Sequence, residues 1–204
     1  MSPSDTRFFT EDWIITLESH PHLRFAHVSP AYIEDHIKVV TSPLSNSFTS
    51  GQHKVWNEEE LDELRQRLRQ RYMDAKSKHH ALNLLVQVDG EFAGRGGVYE
   101  IEPGFANIGI ALLEGIRGKG VGKATMLVLL RLSNELNVEI VEAGTMKANG
   151  PMRALAASLG LEETDEIKRI PDRGVVAEVL FKNIDKAKWK DLDMKVDFMG
   201  PAPE

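Results

Sequence analysis

From residue 117 to residue 123 the chain reads Arg-Gly-Lys-Gly-Val-Gly-Lys, glycines spaced among cations. Gly118, Gly120 and Gly122 carry no Cβ, so a bulky partner can come close to the backbone there. Ala124-Thr125-Met126-Leu127-Val128-Leu129-Leu130 follows and reads as a helix. The glycines and Val121 then fall on its first turn, where N–H groups lack intrahelical acceptors. Those amides, with the positive end of the helix dipole, suit an anion, above all a phosphate or pyrophosphate. Arg117, Lys119 and Lys123 add positive charge at the same spot. The chemistry is that of a phosphate cradle.

Spacing separates the motifs that could supply it. A Walker loop needs Ser or Thr after Gly-Lys and a glycine where Arg117 stands, whereas Ala124 follows Lys123. A dinucleotide fingerprint is weakened because its third glycine comes one residue early, at Gly122. What remains is Arg-x-x-Gly-x-Gly, formed by Arg117, Gly120 and Gly122 after an apolar strand in which Ile108, Ile110 and Leu112 alternate with small residues.

Composition narrows the classes further. The 204 residues suffice for one domain with a sizeable core. The chain has no cysteine, which excludes disulfides, thiolate metal sites and a cysteine nucleophile, so any thioester chemistry must come from a bound carrier. A net charge of −6 argues against a general nucleic-acid binder and mildly favours a cationic acceptor. No apolar run nears the ~20 residues of a membrane span, and Met1-Ser2-Pro3-Ser4-Asp5 lacks the features of a signal peptide. The expectation is a soluble, cytoplasmic protein. No metal site is expected: His20 and His22 flank Pro21 without a third ligand at metal spacing. His79-His80 are loop residues or part of an acceptor groove.

The elements that must position the cradle can be read in order. Residues 1–21, with Phe8, Phe9, Trp13, Ile14, Ile15 and Leu17, form an extension that docks as a short strand or cover. His22–Val28 alternates as the first core strand, and Ser29-Pro30 starts a helix running through Val40. Thr41–Gly51 is a polar loop. Asn57 opens a second helix with a buried stripe of Leu61, Leu64, Leu68, Tyr72 and Ala75. Leu82–Val88, the Asp89-Gly90 turn and Phe92–Tyr99 make a hairpin, whose Gly94, Gly96 and Gly97 mark a bulge or a close backbone approach. Val138–Thr145 is a strand after the glycine helix. Asn149-Gly150-Pro151 caps a helix from Met152 to Leu159, and Leu161–Ile170 and Val175–Lys182 pair through Pro171-Asp172-Arg173-Gly174. Residues 185–204 read as a loosely attached tail. The sum is an α/β (α+β) domain with a mixed sheet and helices on both faces.

From about residue 22 to residue 184 this order resembles the GNAT superfamily of N-acetyltransferases, and within it the RimJ/RimL branch of ribosomal-protein N-terminal acetyltransferases. Arg117-Gly118-Lys119-Gly120-Val121-Gly122 is the most specific shared segment. Leu23-Arg24-Phe25, Ser29-Pro30, Asp89–Gly94, Asn107-Ile108-Gly109-Ile110, Val141-Glu142-Ala143 and Asn149 ahead of Gly160-Leu161 fall in the family's sequence. The resemblance implies a mostly antiparallel sheet of about seven strands, splayed between the fourth and the fifth. It implies acetyl-CoA as cofactor, with pantetheine pairing at Leu112 and Leu113. The pyrophosphate would rest on the amides from Arg117 to Lys123, and Asn149 with Arg153 would line the far side near the thioester. The reaction implied is acetyl transfer to a primary amine, a protein N-terminus or a small amine, by direct attack on the thioester.

In that frame the Leu112 N–H is the oxyanion donor. Glu142 is the expected base, as a carboxylate sharing a strand face with Val138 and Ile140, where desolvation would raise its pKa. Glu100 and Glu102 are the fallback bases. The family's usual acids are missing, since Ala156 and Met152 stand where a Tyr or a Ser is common. Tyr99, Tyr32 or water is left to protonate the thiolate, or the thiolate leaves unaided. A different class, an acyl-CoA-binding module without turnover, fits the same missing acids. Acceptor specificity is expected in segments 41–56 and 165–175.

Overall fold

In the computed structural model, residues 6–43, 55–102, 104–170 and 174–201 are described. The polar loop after Thr41 and the turn at Pro171-Asp172-Arg173 lie largely outside them. One nine-stranded sheet runs in the order β7-β8-β6-β5-β4-β3-β2-β1-β9. Its strands are β1 (Glu11–Leu17), β2 (Leu23–His27), β3 (Ala81–Val88), β4 (Glu91–Glu102), β5 (Phe105–Leu112), β6 (Ile140–Met146), β7 (Glu163–Ile170), β8 (Gly174–Phe181) and β9 (Met194–Pro201). All neighbours are antiparallel except β5 and β6. That parallel pair is joined through a helix, as a crossover connection requires.

That helix, α4 (Val121–Glu135), is the centre of the core. Val128, Leu129, Leu130 and Leu132 are fully buried and share one cluster with Leu82, Leu84 and Val86 of β3 and Ala106 and Ile108 of β5. Strand side chains alternate between faces, so Ala81, Asn83, Arg95 and Tyr99 turn the other way. On that side α2 (Ile33–Thr41) and α3 (Glu58–Lys78) pack on each other through a separate cluster of Ile33, Ile37, Leu64 and Leu68. Asn57 begins α3 with a reciprocal cap: its Oδ1 accepts from the Glu60 N–H at 2.9 Å and its own N–H donates to Glu60 Oε2 at 3.1 Å. Ser29 makes no such bond, and a 3-10 turn at Pro30–Tyr32 precedes α2.

Two strands exceed the expected seven, and the tail supplies one of them. β9 pairs with β1 over its whole length, so residues 194–201 of the expected tail are not loosely attached. Met194, Val196 and Phe198 form an alternating half-buried row, which Lys195 and Asp197 between them hide from a reading by composition. β1 itself inserts Trp13, Ile15 and Leu17 into the core, and Trp13 Nε1 donates to the Phe8 carbonyl at 2.9 Å. Phe8 and Phe9 belong to the short α1 (Arg7–Thr10).

Candidate functional site

β5 and β6 run together and then part. Their register holds from Phe105↔Ile140 to Ile108↔Ala143, yet β5 continues to Leu112 while Gly144–Met146 pairs with β8. Along β5, successive residues address opposite neighbours. The Leu113 N–H donates to the Ala93 carbonyl at 2.9 Å, and the Leu113 carbonyl accepts from Ile116 at 3.3 Å. Leu113 is therefore committed, and the backbone groups turned into the gap are those of Ile110 and Leu112.

A cavity of about 1010 Å³ opens there, as large as small-molecule sites become. β5 lines it with Ile108–Leu112, β6 with Gly144, Thr145 and Met146, and the glycine loop with Arg117, Gly118, Gly120, Gly122 and Lys123. Gly118 and Gly120 have φ of +77° and +81°, the left-handed region that glycine enters without strain. They turn the chain so that α4 begins at Val121 with neither a side-chain cap nor an acidic residue in its first turn. Ala124 is the first to find a helical acceptor, the Gly120 carbonyl at 3.0 Å. Among the described residues the N–H groups of Val121, Gly122 and Lys123 are left for an anion.

Not every residue of the cradle acts as its type suggests. Arg117 is no mobile cation: its Nε and Nη2 donate to the Leu112 carbonyl at 3.1 and 3.0 Å, bracing the loop against the end of β5. The Val121 side chain is buried in the core, so only its amide is available. Lys119 is exposed outside the cavity wall.

Beyond the gap stands α5 (Gly150–Ser158), which presents Met152 and Leu155. Asn149 caps it, accepting from the Met152 N–H at 3.2 Å and donating Nδ2 to Thr145 Oγ1 at 2.8 Å, and it lines the cavity. Arg153 does not. Lying between Met152 and Leu155 in sequence, it points elsewhere on the helix, where Glu163 accepts from its Nε and Nη2 at 3.0 and 2.8 Å.

The expected base is displaced as well. Glu142 pairs with Asn107 across the strands, and its neighbours on that face, Ile140 and Gly144, are exposed, while the alternate Val141 and Ala143 are buried. β6 begins at Ile140, so Val138 is not part of the strand face and Glu142 sits on the open side, outside the cavity wall. The wall instead holds Glu100 and Glu178. Glu100 has φ +53° where the β4–β5 register shifts, and it accepts from Asn107 Nδ2. Nothing in composition marks that bulge, and Glu178 carries no motif.

Arg95 and Glu100 also border a second cavity of about 390 Å³ between α2, α3 and the sheet. Tyr99 lines it, with burial pushing its hydroxyl pKa up, so it keeps its proton. A Cβ on Gly97 would lie 2.6 Å from Tyr99 Oη, the close approach that this glycine permits. Tyr32 packs edge-on against Phe92, away from both cavities. His80 reaches the second cavity while His79 stacks on Phe9.

Comparison with known proteins follows this geometry. The model of the acetyltransferase (GNAT) family matches residues 42–161. No curated protein sequence matches. Among solved structures, RimJ of Mycobacterium smegmatis in complex with CoA-disulfide superposes with TM-score 0.66 at 15% identity, covering 84% of this chain and 88% of that one. An acetyl transferase from Salmonella typhimurium that modifies the N-terminal serine of a 50S ribosomal subunit protein gives 0.63 at 16%, over 91% and 99%. A spermidine N-acetyltransferase SpeG chimera from Vibrio cholerae and hSSAT gives 0.63 at 13%, over 83% and 99%.

Proposed function

The chain belongs to the GNAT acetyltransferase family, and from that premise we propose an acetyl-CoA-dependent N-acetyltransferase whose cofactor lies between β5 and β6. The observation that carries this is continuity: the backbone of Ile110 and Leu112, released by β6, leads straight to the open amides of α4. An amide-bearing arm fits the first and a diphosphate the second.

Bound acetyl-CoA supplies an acetyl group activated as a thioester. The amides of Val121, Gly122 and Lys123 hold the diphosphate, aided by the charges of Lys119 and Lys123. Arg117 keeps the loop in place, and Asn149 fixes the far wall through α5. The Leu112 N–H donates to the oxygen on which negative charge develops. Glu100, at the border of the two cavities, takes the role expected of Glu142 and accepts the amine's proton. The departing thiolate, of reference pKa about 8.5, leaves with little need of a side-chain acid, and Tyr99, a weaker acid through burial, lines only the second cavity.

The acceptor is a primary amine. Two of the relatives named above act on a protein N-terminus and on spermidine, and both acceptors remain within this reading. An α-amine, with a reference pKa of about 8, asks less of Glu100 than a lysine-type amine does. Residues 22–184 form the acetyltransferase unit in this reading, flanked by β1 and β9, and a cysteine-free acidic chain suits the cytosol.

The test is free-thiol release from acetyl-CoA in the presence of peptides with free N-termini, polyamines, amino sugars and amino acids. Release stimulated by one of these amines is expected. Tight coenzyme A binding with no turnover on any amine would identify the acyl-CoA-binding module instead.

A further inference from the structure

The second cavity concentrates polar groups that nothing among the described residues satisfies. His36 is 5% exposed and neither of its ring nitrogens has a partner, and the Tyr72 hydroxyl, 6% exposed, has none. Arg95 Nε is likewise shut off from solvent without an acceptor. A buried donor left unpaired costs about 1–3 kcal/mol, so a group of them facing one volume calls for a ligand. Arg71, exposed on α3, stands at the same wall. Both guanidiniums act on His36 and on Tyr99, so their charge is directed into this space.

The nearby carboxylates are engaged elsewhere. Glu100 accepts from Asn107, and Asp12, outside the wall, stands 3.8 Å from His27 Nδ1. Beside Glu100, the wall therefore offers the cations of Arg71 and Arg95, the phenols of Tyr72 and Tyr99 and the imidazole of His36 to a ligand that brings acceptor oxygens. Arg95 faces Ala111 across the β4–β5 ladder, one residue from Leu112. An anion bound here lies close to the site of acetyl transfer.

We propose that the second cavity binds the carboxylate of a zwitterionic acceptor, an amino acid or short peptide whose amine is presented to Glu100 at the border of the two cavities. The assignment rests on the acetyl-transfer reading of the gap and narrows its acceptor, replacing the cationic acceptor that net charge suggests. Arg forks match a carboxylate bidentately, and a neutral amide cannot replace its charge.

The experiment compares alanyl-alanine with alanyl-alanine amide as acceptors, with O-phosphoethanolamine against ethanolamine as a second pair, by thiol release in the wild type, Arg71→Gln and Arg95→Gln. Wild type is expected to favour the dipeptide acid by about tenfold or more in kcat/KM, and the ratio falls toward one in each variant. Equal kcat/KM for acid and amide in the wild type overturns the proposal, as does a preference that survives both substitutions. A preference for the phosphorylated amine with none for the dipeptide acid also overturns it, in favour of a phosphate site. Calorimetric binding of N-acetyl-alanyl-alanine and its amide is the separate readout if no amine is turned over. A preference for the acid that Arg71→Gln abolishes then supports the carboxylate site although acetyl transfer fails, and equal affinities overturn the site as well.

Discussion

The two cavities meet at Arg95 and Glu100 but are made of different material. The larger is made chiefly of backbone: the edge left by Ile110 and Leu112, the amides of Val121, Gly122 and Lys123, and glycines on both sides of the gap. The smaller is made of side chains from five elements, His27 on β2, His36 on α2, Arg71 and Tyr72 on α3, Asn83 on β3, Arg95 and Tyr99 on β4. Conformation sets what the first can hold, whereas residue identity sets what the second can hold.

A substitution at the shared border should have the largest effect. Glu100→Gln keeps the shape and the capacity to bond Asn107 but removes the proton acceptor, so kcat should fall by about 10²- to 10⁴-fold. Coenzyme A affinity, measured by calorimetry, should stay within about twofold, because the diphosphate and its amides are untouched. A loss of kcat below about tenfold would return the proton transfer to Glu142 or to water and detach Glu100 from both cavities.

Acid stability sharpens the contrast next, because the side-chain cavity holds histidines that the backbone cavity lacks. Burial lowers both His27 and His36 from the ordinary 6.5 to about 4, with Arg95 and Arg71 adding to the effect on His36. Between about pH 6.5 and 4 the unfolded chain binds protons that the folded chain refuses, so stability is complete above that window and falls as pH drops through it. Each histidine removes about 3 kcal/mol by pH 4. Urea midpoints across this range check it. His36→Leu, which also removes two unpaired nitrogens, should reduce the acid-side loss by about half.

Gly120→Val tests the backbone cavity without touching the other. At φ +81° a β-branched residue is strained by about 1–3 kcal/mol, and the relief available is to turn the first amides of α4 out of line. Coenzyme A affinity should weaken about 10- to 100-fold by calorimetry. The preference between acceptors, read as a ratio of kcat/KM values, should not move.

How much of this was legible in the sequence follows from the same contrast. The cradle lies in a continuous run from Arg117 to Lys123, so its glycines, its strand and its helix could be read from spacing. The strands around it follow from alternation. Reading stopped wherever a side chain's direction was decided by a contact distant in sequence. Arg117 was legible as a cation but not as a brace on Leu112, and Arg153 was legible on α5 but not as the partner of Glu163. Glu142 was legible as a strand carboxylate but not on the open face, since β6 starts at Ile140 and buries Val141 and Ala143 instead. The second cavity was illegible altogether: His36, Tyr72 and Arg95 belong to three elements with no common motif, and only folding brings their unpaired atoms together.

Arg117 yields the smallest effect and the finest distinction, because it belongs to the backbone cavity through a side chain. If its guanidinium serves as a fork closing on the Leu112 carbonyl, Arg117→Lys should weaken coenzyme A binding almost as much as Arg117→Ala, about fivefold to tenfold, since an ammonium cannot reproduce the two parallel N–H bonds. If its charge is what matters, Arg117→Lys should bind like wild type and Arg117→Ala should lose affinity mainly at low salt, where a free cation beside a diphosphate counts most. Dissociation constants for the three proteins at two ionic strengths separate these outcomes. A deficit common to both variants and insensitive to salt means that the loop is held in shape by Arg117, with attraction left to the amides and to Lys119 and Lys123.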